Sequence, residues 1–271
     1  RTSLVATFKA DKLLLGVTAV LVVGSWIPLF LTPFLPFSDL GINTASAQLI
    51  WDTAAGAPIT SAFYDVQWRP LPYCTTYGLC AVWGKLFGPL IAAKLLTAFI
   101  LLLVPLGTMR LLLALGRDPR LGLWAFMMTW EHNLYAGWMA LMFGVGLASF
   151  LLAWMIEAET VGDGLRLAPY ASLLGLTHAQ ATMLFGLAGG AITFTTGPLR
   201  RRMAIHAVVF AGTLAVLIPW LAVNTRPPGG GPVPPRDLDS QEALAAARRR
   251  DQEAPVDPPH DAAAVRLRLV L

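Results

Sequence analysis

The sequence predicts an all-α, polytopic transmembrane bundle of about seven spans, with an external amphipathic loop and a disordered carboxy-terminal tail. Three observations carry that expectation. Apolar residues make up 56% of the 271 residues and charged residues 13%, about half the charged share of an ordinary globular chain. Mean hydropathy is +0.61. Several apolar runs reach the roughly 18 residues that read as a membrane-spanning helix. Collagen, coiled coil, disulfide-rich toxin and wholly disordered chain are excluded by the same arithmetic.

The first apolar run, Lys12 to Phe34, is long enough to cross, with a bend expected at Gly24-Ser25 and Pro28 and closure at Pro33 and Pro36. Residues 37–69 then turn polar. At 33 residues this stretch exceeds most connections, and loops of that length tend to be functional or disordered. It carries a short amphipathic piece through Trp51-Asp52, and its Trp51, Tyr64 and Trp68 favour an element seated at the membrane interface. Six further apolar segments follow at 70–87, 89–115, 120–135, 137–157, 170–196 and 203–224. The segment 120–135 is short and carries Glu131 and His132, which leaves its full crossing open.

Residues 1–224 therefore read as the transmembrane domain and 225–271 as a separate tail. The tail holds 8 of the 20 prolines, a Gly229-Gly230-Gly231 run and seven residues of each charge. That composition cannot bury a core and reads as disordered or as a strap on partner subunits. Within it, Asp239 to Arg250 runs from acidic to basic, the polarity a short helix prefers. The net charge of +4 belongs to residues 1–224, and in a membrane chain it reads as cytoplasmic anchoring, with no nucleic-acid partner. With the amino terminus inside, Lys9/Lys12, Lys85/Lys94 and Arg200-Arg201-Arg202 fall on the cytoplasmic side. The Glu157–Asp163 loop then falls outside, and so do Arg110, Arg117 and Arg120, against the positive-inside trend. The chain opens on Arg1, as a processed or truncated chain would, and the run after Lys12 is too long for a plain signal peptide.

Ionisable groups inside spans are costly and are candidate sites by default. Lys85 and Lys94 flank the Gly88-Pro89 break and read as snorkelling cations. Glu131-His132-Asn133 offers either a carboxylate with a neighbouring imidazole or a water-facing helix end. His178 is either a packed helix-contact histidine or a ligand. On a continuous helix Thr182 shares its face and Gln180 does not. Only His132 and His206 fall at similar depth, and nothing turns them toward each other, so haem is not expected. Cys74 and Cys80, six apart on a segment that reads as helical, face different ways, and no disulfide or metal pair is expected from them. No phosphate loop, GxSxG, HExxH or paired CxxC occurs.

The chemistry of the first loop is the most suggestive. Asp39 follows the first span, and Asp65, Trp68 and Arg69 precede the second. An arginine and a carboxylate at a membrane surface suit a phosphate or diphosphate headgroup on a lipid. Arg69 would hold the phosphate in a two-point bond, and Asp39 would act as general base or as ligand to a divalent metal ion. The alternative is that Asp39 caps the following helix and Arg69 anchors at the headgroups.

The order of first span, Ser38-Asp39-Leu40-Gly41, juxtamembrane helix and the aromatic segment Trp68 to Tyr73 resembles the amino-terminal half of GT-C-type membrane glycosyltransferases. It is similar in style to bacterial integral membrane relatives of that superfamily. The span Gly88–Gly116, with Lys94-Leu95-Leu96 and Met109-Arg110-Leu111-Leu112, and the piece Thr177-His178-Ala179 add to the likeness, which covers roughly residues 12–224. The resemblance implies a bacterial inner-membrane enzyme that uses a polyprenyl-phosphate-linked sugar at the outer face. It makes Asp39 the catalytic acid; Asp65, Trp68, Arg69, Tyr73 and His178 are the candidate substrate-binding residues beside it, with Glu131 and His132 as secondary candidates. The chain departs from the pattern in having no Asp-x-Asp pair in the loop and no folded carboxy-terminal domain. The alternative is therefore an inactive relative or a non-catalytic subunit of a larger membrane complex.

Overall fold

The structure is a computed structural model that describes residues 3–33, 35, 37–38, 40–55, 64–67, 72–195, 197–224 and 267–270; at 40, 43, 64–67, 223–224 and 267–270 it describes the backbone alone. The fold is helical. The β structure among the described residues is one parallel pairing of β1 (Tyr64–Gln67) with β2 (Leu267–Val270). Apart from those four residues, the tail 225–271 lies outside the described residues.

A short α1 (Leu4–Ala10) is capped by Ser3. Asp11 then caps α2 (Lys12–Leu31), its carboxylate accepting from the Leu14 N–H. The helix is continuous through Gly24, Ser25 and Pro28. The end where α2 begins is called proximal here, and the end where it stops distal. Beyond it, α3 (Leu40–Ala54) is the amphipathic piece expected before Trp51-Asp52.

The segment 70–87 does not cross the bundle, contrary to expectation. It forms α4 (Cys74–Phe87), about 21 Å long. Its start is bonded to the distal His178 region, and its end leads at Gly88 into a helix that also starts distally. Gly88, at φ 86, makes this reversal, a backbone conformation that favours glycine. Trp51 Nε1 donates to the Ala81 carbonyl at 2.7 Å, and Lys85 sits 5.4 Å over the Trp51 ring, so α3 and α4 pack together across the distal end. Cys74 and Cys80 form no disulfide.

The core is α5 (Pro89–Ala114), apolar and buried around much of its circumference, as a helix surrounded by others must be. Trp26 Nε1 donates to the Ala98 carbonyl near its distal end, while Leu14 packs with Met109 near its proximal end, so α5 runs antiparallel to α2. Gly116, at φ 67, closes the helix, with its N–H and that of Arg117 returning to Leu113 and Leu112. The chain then travels back in pieces. A 3₁₀ turn (Pro119–Leu123) is followed by α6 (Trp124–Thr129) and α7 (His132–Tyr135). Arg120 holds Asp11 at the proximal end, and the Tyr135 carbonyl accepts from the Ser38 N–H at the distal end. The short segment 120–135 thus does run from end to end.

Next, α8 (Met139–Glu157) lies parallel to α5. A Cβ on Gly107 would stand 2.8 Å from the Gly146 carbonyl, which is why small residues meet there. The expected single span 170–196 is two helices, α9 (Val161–Thr177) and α10 (Ala179–Thr195), broken at His178. A Thr160/Asp163 capping box starts α9 nine residues earlier than the apolar run suggests. Finally α11 (Leu199–Asn224) runs parallel to α9, with Ser172 Oγ donating to the Gly212 carbonyl at 2.8 Å.

Among the described residues, four helices are long and apolar enough to cross a membrane: α2, α5, α8 and α11 over Leu199–Ala222. Their apolar windows are 17, 61, 67 and 22% buried in that order, so α5 and α8 are central while α2 and α11 present apolar faces outward.

Because α4 stays distal, the ends of the segments between it and His178 exchange sides relative to expectation, and the break of the 170–196 run in two restores the expected side for Arg200–Arg202. Arg110, Arg117 and Arg120 lie at the proximal end with Lys9, Lys12, Arg166 and Arg200–Arg202. The Glu157–Asp163 turn is proximal too, with Glu157 paired to Arg110 and the Ala158 carbonyl accepting from Arg202. Lys85 and Lys94 are distal, not beside Lys12. Glu131 and His132 share the distal end with Ser38, not the opposite one. His206 lies in the proximal part of α11, stacked on Phe210, so the His132–His206 pair weighed for haem does not meet.

Candidate functional site

Two clefts open at the distal end, one on each side of the first turns of α3. The larger, about 520 Å³, lies between the segment leaving α2, the α3 face of Gly41, Thr44, Ala45 and Gln48, and the start of α5. Leu35, Phe37, Leu90 and Ala93 make it largely apolar, and Lys94 is the one charged group among the described residues that line it. Lys94 is not the snorkelling cation expected from sequence. It is 8% exposed, its ammonium donates to the Thr32 carbonyl, and it lies 6.0 Å over the Phe30 ring. Burying an ammonium without an anionic partner is costly, and among the described residues one backbone carbonyl and an aromatic face are its partners. Among the described residues no other group accepts from its remaining two N–H donors.

The smaller cleft, about 300 Å³, joins α4, the entry to α8 and the α9–α10 break. Its centre is Tyr73, whose hydroxyl is hydrogen-bonded to His178 Nε2 at 3.2 Å. The two rings meet edge to face at 5.0 Å. The Tyr73 N–H donates to the Thr177 carbonyl at 3.0 Å. These bonds hold Tyr73 at φ 79, the sole non-glycine with positive φ among the described residues. Such a conformation costs about 1–2 kcal/mol in a residue bearing a Cβ, and strain of that kind gathers at functional sites. Because the helix breaks at His178, Gln180 lines the same cleft, contrary to the continuous-helix expectation, while Thr182 returns its hydroxyl to the His178 carbonyl.

Of the residues picked out from sequence, Tyr73 and His178 are thus brought into direct contact across 105 positions. Asp39, Trp68 and Arg69 lie outside the described residues, and of Asp65 only the backbone, in β1, is described. The neighbours of Asp39 in sequence, Ser38 and Gly41, line the Lys94 cleft. Glu131 accepts from Asn133 Nδ2 and, like His132, is exposed at the distal end. Among the described residues no group of three His, Cys, Asp or Glu side chains is placed to hold a metal ion. The divalent ion considered for Asp39 belongs to a position outside the described residues.

The sequence reading missed Lys94 as a site residue, together with Tyr77, Trp138 and Gln180. A signal for Lys94 was present, a lone cation five residues into an apolar helix. For the others the convergence is purely tertiary. Comparison with protein-family models, with curated proteins and with solved structures returns no match.

Proposed function

We propose that this is an integral membrane protein that binds a polyprenyl-phosphate-linked sugar in the Lys94 cleft at the outer face, as a GT-C-like transferase or an inactive relative of one would. The observation that carries the reading is the buried Lys94 ammonium in an apolar cleft. An isoprenoid tail would fill the apolar walls, and the phosphate would supply the anion the ammonium lacks. Asp39 would act beside it as general acid or base.

In this reading α2, α5, the broken 119–135 segment, α8, α9, α10 and α11 make seven crossings of a bacterial plasma membrane. The proximal end is cytoplasmic with the amino terminus. Nine of the eleven lysines and arginines whose side chains are described lie there, which is the positive-inside distribution. The expectation that Arg110, Arg117 and Arg120 violate that rule disappears with the corrected path.

The test uses the full chain in lipid nanodiscs, with farnesyl phosphate and farnesol as paired probes. Native mass spectrometry should give selective binding of the phosphate, weakened about 10- to 100-fold by Lys94→Met, as expected for a charge-assisted hydrogen bond of about 1.5–3 kcal/mol. Equal binding of farnesol would sink the phosphate reading. Asp39→Asn should keep binding and abolish transfer from a polyprenyl-phosphate sugar. Loss of co-purifying membrane proteins on deleting 225–271, with no transfer by the intact chain, would put an accessory subunit in the enzyme's place.

A further inference from the structure

We infer that the Tyr73–His178 cleft is a binding site for a neutral pyranose, separate from the Lys94 cleft. Three aromatic side chains, Tyr73, Tyr77 and Trp138, converge on it. Tyr73 and Trp138 are 43 and 47% exposed, so their rings are presented to a ligand and not consumed by the core. Aromatic rings ordinarily scattered around a bundle serve as an interfacial belt. Here they come from two elements far apart in sequence and border one cavity of about 300 Å³, at the lower end of the range for small-molecule sites.

The polar groups fit the same ligand. Gln180 offers both a donor and an acceptor, and the Tyr73–His178 pair offers a hydroxyl and an imidazole. No carboxylate, lysine or arginine lines the cleft among the described residues, and those residues present only neutral polar groups to a ligand. A pyranose has the matching pattern, with axial C–H faces that stack on aromatic rings and equatorial hydroxyls that bond to amide and imidazole edges.

The frame is rigid where recognition needs it. Tyr73 is fixed by its backbone bond to Thr177, its hydroxyl bond to His178 and its edge-to-face contact, so little ordering remains to be done on binding. The position suggests the role. Ile42 borders this cleft, while Gly41 and Thr44 border the other. A neutral sugar and a lipid phosphate would therefore sit on opposite sides of the segment that follows Asp39. The role as acceptor or sugar subsite rests on the lipid-linked-sugar reading, whereas the binding itself does not.

Saturation-transfer NMR on the full chain in nanodiscs tests it, with the methyl glycosides of glucose, mannose, galactose and N-acetylglucosamine as probes and triethylene glycol as the non-sugar control. At least one glycoside should saturate at its ring C–H protons, and the control should not. Trp138→Ala and the surface change Gln180→Leu should each weaken binding at least fivefold. Lys94→Met should leave it unchanged, and farnesyl phosphate should not compete. Failure of all four glycosides, equal saturation of the control, or binding that survives both Trp138→Ala and Gln180→Leu overturns the inference. Farnesyl phosphate binding in the same sample would then show the Lys94 cleft standing alone.

Discussion

Tyr73 provides the sharpest local test, because its left-handed backbone reverses an ordinary order of stabilities. At most positions glycine is less stable than alanine, by about 0.5–1 kcal/mol within regular structure, since it loses more freedom on folding. At φ 79 and ψ −15 any residue with a Cβ is disfavoured by about 1–2 kcal/mol. Tyr73→Ala removes the ring and keeps that strain, whereas Tyr73→Gly removes both. The glycine variant should therefore be the more stable of the two by about 1 kcal/mol, or about 2–4 °C in Tm for a chain of this size class. Tyr73→Phe keeps the ring and loses only the 3.2 Å bond to His178, a loss of about 1 kcal/mol. Thermal unfolding of the three variants in one detergent, followed by a thiol-reactive dye, gives the order. An alanine variant as stable as the glycine variant would mean that Tyr73 is not held in the left-handed region, and the account of a strained, pre-set site would fail with it.

Three further outcomes follow from the same structure. Single cysteines introduced at Ser3 and Asp118 should label from one side of sealed vesicles, and those at Ser38 and Glu131 from the other, in a background with Cys74 and Cys80 replaced; Glu131 labelling with Ser3 would contradict the crossing by 119–135. Gly212→Ala should lower Tm, because its Cβ would run into the Ala168 carbonyl and overpacking costs about 1–3 kcal/mol. Gly190→Ala meets nothing within 4 Å and should be neutral or stabilising, so a matching loss at both sites would refute the packing argument. The Leu14 N–H and the Arg120 guanidinium hold the Asp11 carboxyl below its ordinary value of 3.8, so its contribution is complete well above 3.8 and disappears as pH falls through the lower folded value. The Tm deficit of Asp11→Asn should accordingly be largest near neutral pH and close in acid, and a deficit that grew on acidification would reverse the assigned sign.

The membrane class was legible because it is written in composition and run length, which need no tertiary information. The extents of α2, α5 and α8 followed the apolar runs closely. What could not be read was whether a run turns back. The 70–87 run is long enough to be read as a span, yet its helix takes only 14 residues, Gly88-Pro89 reverses it at the distal end, and α3 covers it through Trp51. Conversely, 120–135 looks too short and too polar, yet it travels end to end as short pieces joined by non-helical backbone at Trp130 and Glu131, with a 3₁₀ turn that adds only about 2.5 Å over an α-helix of the same length. The one crossing removed at 70–87 changed the side of Arg110, Arg117, Arg120 and Glu157, and the break at His178 returned Arg200–Arg202 to the side of Lys12, without changing any helix type. At the site, Tyr73 and His178 were both chosen from sequence, but only the tertiary bond between them makes a pair. Lys94 looked like an interfacial cation because its burial depends on the segment around Thr32, 62 positions away.

The claim at the centre of this account is that Lys94 meets a lipid phosphate at the distal end of the bundle. The chain has only four lysines, Lys9, Lys12, Lys85 and Lys94, so ¹⁵Nζ-lysine labelling gives a spectrum simple enough to assign by substitution. Solid-state ¹⁵N–³¹P dephasing on nanodisc-embedded protein loaded with farnesyl phosphate measures the contact directly. Over the phospholipid background, adding farnesyl phosphate should increase the dephasing of the Lys94 signal alone, consistent with an N···O contact of about 2.8 Å, and the increment should be absent from Lys94→Arg. Dephasing confined to Lys9 and Lys12, or a Lys94 signal unaffected by phosphate while farnesyl phosphate is bound, would contradict it.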